Sequence, residues 1–196
     1  MLFFLTILFS LFFKFVAELI TTNSIVMKAV VSIIMGSTSD MPVMRKAADF
    51  LNSMQIPFEI NALSAHRVPE KVEEFATNAH ARGIKVIIAG AGGAAHLPGV
   101  VAAFATVPVI GVPCRSSISI DGWDSILSIL QMPPGIPVAT VGLDAAYNAG
   151  ILAGQILSTS DDALHARMVE FKMNMKQKIV KANQDLASEK FDYRVQ

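Results

Sequence analysis

Short runs of β-branched and apolar residues alternate with amphipathic helical segments from Lys28 onward, and no other feature constrains the fold as much. Five runs are predicted to be strands, at residues 28–35, 57–63, 85–90, 107–112 and 137–143. Most of them are almost continuously hydrophobic, which is typical of parallel strands covered by helices on both faces. The alternation therefore predicts an α/β fold built on a three-layer, Rossmann-like, doubly wound parallel sheet of five strands.

The segments between the strands show helical spacing of their apolar residues. The helix after the first strand has Pro42 near its first turn and an apolar face made of Met44, Ala47, Ala48, Leu51 and Met54. A second helix is predicted to begin at Pro69 and to be capped at its C-terminal end by Gly83.

A long helix is predicted from about residue 161 to residue 188. One stripe of this helix is apolar and consists of Leu164, Met168, Phe171, Met175 and Ala182. The stripe is longer than one domain edge requires, so we expect part of it to pack on a neighbouring subunit.

The composition excludes several classes of protein. The chain has 196 residues, 53% of them hydrophobic, which suffices for the core of one full domain. Lys plus Arg equals Asp plus Glu at 16 each, so the basic surface of a nucleic-acid binder is not indicated. A single cysteine, Cys114, cannot form an internal disulfide, and no Cys/His spacing indicates zinc. A reducing compartment is favoured.

Residues 1–26 differ from the rest of the chain because the first twenty are almost wholly apolar and rich in Phe. The unbroken run ends at Lys14, short of the roughly 20 apolar residues that a membrane span needs, and Glu18 follows. No positive region precedes the run, and no convincing cleavage site follows it. We expect an extension produced by a misassigned start before Met27, or a dispensable one, with a membrane anchor as the lesser alternative. Residues 27–196 are expected to form one catalytic domain.

The loops after the first two strands carry polar residues. Ligands of open parallel sheets bind beyond the carboxyl ends of the strands. The loop 36–40, GSTSD, leads into a helix N-terminus that suits a phosphate, and Asp40 could accept hydrogen bonds from ribose hydroxyls. Helix capping by Ser39 or Asp40 is an equally weighted alternative. The loop 64–67, SAHR, offers His66 for proton transfer and Arg67 for bidentate phosphate binding.

The third loop, residues 90–99 with the sequence GAGGAAHLPG, has almost no side chains, so a planar heterocycle could approach its backbone closely. It also matches G-x-G-x-x-A, the dinucleotide fingerprint. That match fails on context, because the loop follows the third strand and no acidic residue lies about 20 positions further on. His96 in this loop is either a ligand contact or a buried residue that holds the loop in shape.

Four other residues are interpreted conservatively. His80 and His165 are expected at the surface. Cys114 precedes Arg115, which could lower the pKa of its thiol, but a packed small residue is favoured because no base is identifiable. The longest irregular stretch is RSSISIDGWDS, a candidate lid or interface element in which Trp123 would be an anchor.

Together, the motifs GSTSD, SAHR and GAGGAAHLPG resemble those of the class I N5-carboxyaminoimidazole ribonucleotide mutase family. The resemblance runs from about Val30 to the C-terminal helix and includes SILQMPPGIPVAT and NAGILAGQIL, whereas the residues before Met27 lie outside it. It implies a flavodoxin-like sheet, a cytoplasmic homo-octamer with active sites near subunit contacts, a nucleotide substrate, and no metal or organic cofactor.

The resemblance also implies a role for each matching residue. His66 corresponds to the family's proton-transfer histidine. The family's phosphate and ribose contacts correspond to Ser37, Ser39, Asp40, Ser64 and Arg67. Gly92 and His96 would surround the imidazole and the migrating carboxyl group of the substrate.

Three alternative functions remain open. A carboxylase that uses free carbon dioxide is the close relative, although Arg67, where such relatives tend to carry Lys, favours the mutase. A non-catalytic nucleotide sensor would tolerate the loss of His66, which is present. A dinucleotide-dependent oxidoreductase would bind NADH, which a fluorescence titration can test.

Overall fold

The computed structural model describes residues 27–195, so the predicted extension 1–26 lies outside the described residues. Within these residues there are five strands, β1 Val31–Met35, β2 Phe58–Ala62, β3 Val86–Gly92, β4 Val109–Cys114 and β5 Ala139–Thr140. They are parallel and form one sheet in the order β2-β1-β3-β4-β5. The five predicted strands and the doubly wound, flavodoxin-like order are confirmed. Because the order reverses beside β1, the crevice beyond its carboxyl end is the place where such sheets bind ligands.

In the described part of the chain, six α-helices connect and flank the strands. They are α1 Met41–Ser53, α2 Pro69–Thr77, α3 Leu97–Phe104, α4 Trp123–Leu130, α5 Ala146–Ser158 and α6 Asp162–Ala187. A 3-10 turn, Thr38–Asp40, precedes α1. The predicted helix starts at Pro42 and Pro69 are confirmed to within a residue, and Asp161 caps α6 by accepting a hydrogen bond from the Leu164 N–H.

Two apolar layers cover the sheet, and alternation along the strands decides which residue enters which layer. Ile33 of β1 and Ile88 of β3 face α1, α5 and α6, whereas Ile34 and Ile87 face α2, α3 and α4. All four are fully buried. The period of two along each strand therefore produces a three-layer domain with the sheet in the middle.

Phe50 lies at the centre of the layer that holds α1, α5 and α6. Its ring makes edge-to-face contacts with Tyr147 and Phe171, each with ring centroids 5.3 Å apart. A Cβ atom at Gly150 would lie 3.1 Å from this ring, so the small residues of α5 allow α1 to pack closely. Burying such an aromatic residue contributes several kcal/mol to folding, about 3–5 kcal/mol by comparison with Phe-to-Ala substitutions.

Three details differ from the sequence prediction. Only Ala139–Thr140 of the predicted strand 137–143 pairs with β4 at the sheet edge. Helix α2 ends at Thr77 and is followed by turns, so Gly83, with φ +93°, ends that turn segment rather than capping the helix. Strand β3 extends to Gly92, which places part of the glycine-rich segment inside the sheet.

The predicted apolar stripe of α6 divides into two parts. Leu164 and Met168 are buried and Phe171 is half-buried against the core, whereas Met175 and Ala182 are exposed. No helix within residues 27–195 has both the length and the apolar character needed to cross a membrane.

Candidate active site

A cavity of about 480 Å³ lies beyond the carboxyl ends of β1, β2, β3 and β4. The structure brings all eight residues singled out in the sequence to its wall: Ser37, Ser39, Asp40, Ser64, His66, Arg67, Gly92 and His96. They come from three separate loops that adjacent strands bring to one edge of the sheet. The geometry therefore unites residues up to 59 positions apart in a single site, His96 being the most distant from Ser37.

The first loop is held by its own hydroxyl group. Ser37 is the N-cap of the 3-10 turn, and its Oγ accepts a hydrogen bond from the Ser39 N–H at 3.3 Å. Asp40 ends this turn, makes no capping hydrogen bond to α1, and is 8% exposed. Burial raises the pKa of its carboxyl group, and a hydrogen bond from the Ser37 backbone only partly offsets this effect. The alternative that Ser39 or Asp40 caps α1 with its side chain is therefore not supported.

The second loop is joined to the first by Arg67. One guanidinium nitrogen, Nη2, donates a hydrogen bond to the Gly36 carbonyl at 3.2 Å. The side chain of Arg67 is otherwise exposed on the cavity wall, so its remaining N–H groups are available to an anionic ligand. A cation fixed beside the hydroxyls of Ser37 and Ser64 favours a phosphate or carboxylate in this part of the cavity.

Two histidines meet across the cavity. Nε2 of His66 lies 2.7 Å from Nδ1 of His96, and the two rings are perpendicular with centroids 4.9 Å apart. That distance is typical of a hydrogen bond between nitrogens, so one of the two atoms carries a proton and the other accepts it. His96 is exposed and therefore not the buried, loop-shaping histidine that was one of its two predicted roles.

The glycine loop lies tightly against the end of β4. A Cβ atom on Gly92 would lie 2.8 Å from the Cys114 carbonyl oxygen and 2.9 Å from Cβ of Ser116. Gly93 has φ +62°, a conformation that residues with side chains rarely adopt. The absence of side chains thus lets the backbone of the glycine loop pack directly against the end of β4.

The cavity also has a fourth wall, made by a loop that the sequence indicated only as a candidate lid or interface element. Ser116, Ser117 and Ile118 line it from the loop after β4. Ser116 Oγ is buried and has no hydrogen-bond partner among residues 27–195. Only its position in the chain could have identified this loop as part of the site, because it follows a strand at the same edge of the sheet as the other three loops.

Three other residues considered in the sequence analysis, Cys114, His80 and His165, show no sign of a chemical role. Cys114 is fully buried, and burial raises the pKa of its thiol to about 12, with the charges of Asp40 and Asp144 adding to the effect. The suggestion that Arg115 lowers this pKa is wrong, because desolvation dominates. His80 and His165 are exposed as predicted.

The loop after β4, which forms the fourth wall, has hydrogen bonds among its own residues. Ser119 Oγ donates to the Asp124 carboxylate, and this bond holds the pKa of Asp124 below its usual value. Ile118, Ile120 and Trp123 are 82%, 75% and 62% exposed, so Trp123 does not anchor a lid within one chain, and its role at an interface stays a prediction. In the described part of the chain, no three His, Cys, Asp or Glu side chains converge in a way that could hold a metal ion.

Comparison with known proteins gives consistent results. The family model described as AIR carboxylase matches residues 30–178. The N5-carboxyaminoimidazole ribonucleotide mutase of Pyrococcus abyssi is 55% identical over 146 residues, which cover 74% of this chain and 83% of the relative. The phosphoribosylaminoimidazole carboxylase of Schizosaccharomyces pombe is 53% identical over 148 residues, which cover 76% of this chain but 27% of that longer protein.

A solved structure has the same architecture. The crystal structure of Treponema denticola PurE superposes with a TM-score of 0.72 at 32% sequence identity. The match covers 80% of this chain and 97% of the other. The cavity and its loops therefore lie within the part of the chain, residues 30–178, that the family model matches.

Proposed function

The chain belongs to the AIR carboxylase family, and on that premise we propose that it is an N5-carboxyaminoimidazole ribonucleotide mutase, an isomerase of purine biosynthesis. The observation that carries the proposal is the histidine pair beside Arg67 in one cavity, together with the 55% identity to a protein of that name. The reaction moves a carboxylate from the exocyclic nitrogen of the substrate to a carbon of its aminoimidazole ring.

The ribose phosphate of the substrate would bind at the first two loops. Arg67 supplies the positive charge, Ser37, Ser39 and Ser64 supply hydroxyl donors, and Asp40 accepts hydrogen bonds from the ribose. The raised pKa of Asp40 fits this role, because a buried carboxylate that only the Ser37 backbone hydrogen-bonds costs stability unless a ligand also donates to it. The imidazole would then lie against Gly92 and His66.

His66 would act first as an acid and then as a base. Protonated His66 gives its proton to the exocyclic nitrogen as the N–CO₂ bond breaks, and carbon dioxide remains in the cavity. The electron-rich ring carbon attacks that carbon dioxide, and neutral His66 removes the ring proton to restore aromaticity. One side chain would thus serve both steps, and closing of the pocket around the substrate would keep carbon dioxide from escaping.

The assembly is proposed to be a cytoplasmic homo-octamer of the domain formed by residues 27–196, with residues 1–26 as an extension. The support is an exposed apolar surface that a single chain leaves uncovered. On the loop after β4 and on α4 it includes Ile118, Ile120, Trp123, Leu127 and Leu130, and on α6 it includes Met173 and Ile179. Light scattering on the protein starting at Met27 should give eight times the chain mass, and a monomer would refute this part.

The carboxylase alternative shares the fold and has relatives of comparable identity, as the 53% match shows. Arg67 favours the mutase over it. The deciding experiment is conversion of freshly generated N5-carboxyaminoimidazole ribonucleotide without added bicarbonate, followed by ultraviolet absorbance. His66→Asn should lose at least about 100-fold in turnover. Activity only with aminoimidazole ribonucleotide and carbon dioxide would place the protein in the carboxylase branch.

A further inference from the structure

We propose that His96 is a positioning residue that holds His66 in the one tautomer able to serve both proton transfers. This inference rests on the proposed function for its kinetic consequence and on the geometry of the pair for its structural content. It differs from the role implied by the resemblance, in which His96 belongs to the surroundings of the substrate imidazole.

The fold brings the two rings together from loops on either side of β1. His66 follows β2, His96 immediately precedes α3 after β3, and both strands pair directly with β1. The 2.7 Å separation joins Nε2 of His66 to Nδ1 of His96. The only charged side chains among the other cavity residues of the described chain are Asp40 and Arg67, and neither is hydrogen-bonded to the histidines.

The direction of this hydrogen bond follows from what a base requires. If His96 donated from Nδ1, Nε2 of His66 would use its lone pair as the acceptor, and neutral His66 would carry its proton on Nδ1. No lone pair would then remain to receive the ring proton of the substrate. If His66 instead donates from Nε2, its Nδ1 is free in the neutral form and protonated in the cationic form.

Each proton that moves in the reaction can then be assigned to one histidine nitrogen. In the first step the Nδ1 proton of cationic His66 moves to the exocyclic nitrogen, and in the second step the ring-carbon proton moves to that same Nδ1. The Nε2 proton stays in its bond to His96 Nδ1 throughout. His96 keeps its own proton on Nε2, neither gains nor loses one, and acts only by fixing the ring plane and tautomer of His66.

Two substitutions separate positioning from substrate contact. His96→Ala removes the acceptor, whereas His96→Asn places an amide oxygen near the position of Nδ1 and retains one. We expect kcat to fall about 10- to 100-fold in His96→Ala, less than the loss from removing the acid-base group itself, with KM changed less than about 3-fold. His96→Asn should recover most of that loss, and His80→Ala, which alters an exposed histidine, serves as the matched control.

The tautomer itself can be read in the absence of substrate by solid-state ¹⁵N NMR of histidine-labelled protein, since the chain has 4 histidines. In the wild type, neutral His66 should show a protonated Nε2 and a bare Nδ1, and His96→Ala should give a mixture of tautomers. A wild-type His66 with a protonated Nδ1 and a bare Nε2 would overturn the inference. So would a defect of His96→Ala confined to KM, or no rescue by asparagine. Failure of the wild type to convert the substrate would instead overturn the proposed function and leave the NMR result to decide the pairing.

Discussion

Gly92→Ala tests how tightly the glycine loop is packed against β4. The added Cβ would lie 2.8 Å from the Cys114 carbonyl oxygen, about 0.6 Å closer than the 3.4 Å at which ordinary contacts begin. Gly92 and Cys114 are also register partners in the β3–β4 pair, so backbone must move rather than a flexible side-chain end. Overpacking of this kind typically costs about 1–3 kcal/mol.

For a domain of this size, 1 kcal/mol corresponds to a shift in Tm of about 2–4 °C. Calorimetry on the protein starting at Met27 should therefore show a Tm lowered by about 2–12 °C in Gly92→Ala. Gly142→Ala is the matched control, because its Cβ would meet only Cβ of Ala145 at an ordinary 3.7 Å. A Tm for Gly92→Ala within about 1 °C of the wild type would show that the loop yields easily, and the argument that it is tightly packed against β4 would fail.

Three further predictions concern individual buried groups. Burial raises the pKa of the Asp40 carboxyl group above 3.8, so ionisation of this group destabilises the folded state as the pH rises above 3.8. Asp40→Asn should therefore raise Tm at pH 7. This increase in Tm should disappear near pH 3, where the carboxyl group is protonated in both the folded and the unfolded chain. Ser116→Ala removes a buried hydroxyl without a partner in the described chain, so Tm should stay constant or rise slightly, and a fall of several degrees would show a missed hydrogen bond. Because burial raises the pKa of the Cys114 thiol to about 12, this thiol should not react with a disulfide reagent in the native protein at pH 8 but should react fully in urea. Rapid labelling of Cys114 in the native state would contradict its burial.

Much of the fold could be predicted because its signal is local. The alternation of buried strands with helical stripes fixed five strands and their parallel arrangement, and Pro42 and Pro69 marked helix starts. Local sequence patterns gave wrong bounds where contacts with the rest of the fold determine where a strand or helix ends. Only two residues of the fifth strand pair at the sheet edge, and Gly83 ends a turn rather than the helix.

The candidate site was predictable as a set of residues but not as a geometry. Each motif lies at a strand end, and the general rule for open parallel sheets brings those ends together. Nothing in the sequence indicates that His66 and His96 come within hydrogen-bonding distance, because that depends on how far two loops curve over β1. The loop with Ser116 was indicated only as a candidate lid or interface element, and Ser116 itself was missed because one serine in a polar loop has no motif to identify it.

Isotope tracing tests the central claim most directly. The substrate would be prepared with ¹³C in the migrating carboxylate and converted by the protein starting at Met27 in buffer containing unlabelled carbon dioxide and bicarbonate. A mutase that keeps carbon dioxide in its cavity should give 4-carboxyaminoimidazole ribonucleotide that retains the label, as read by mass spectrometry. A product that carries unlabelled carbon taken up from solution would contradict this account and identify a carboxylase.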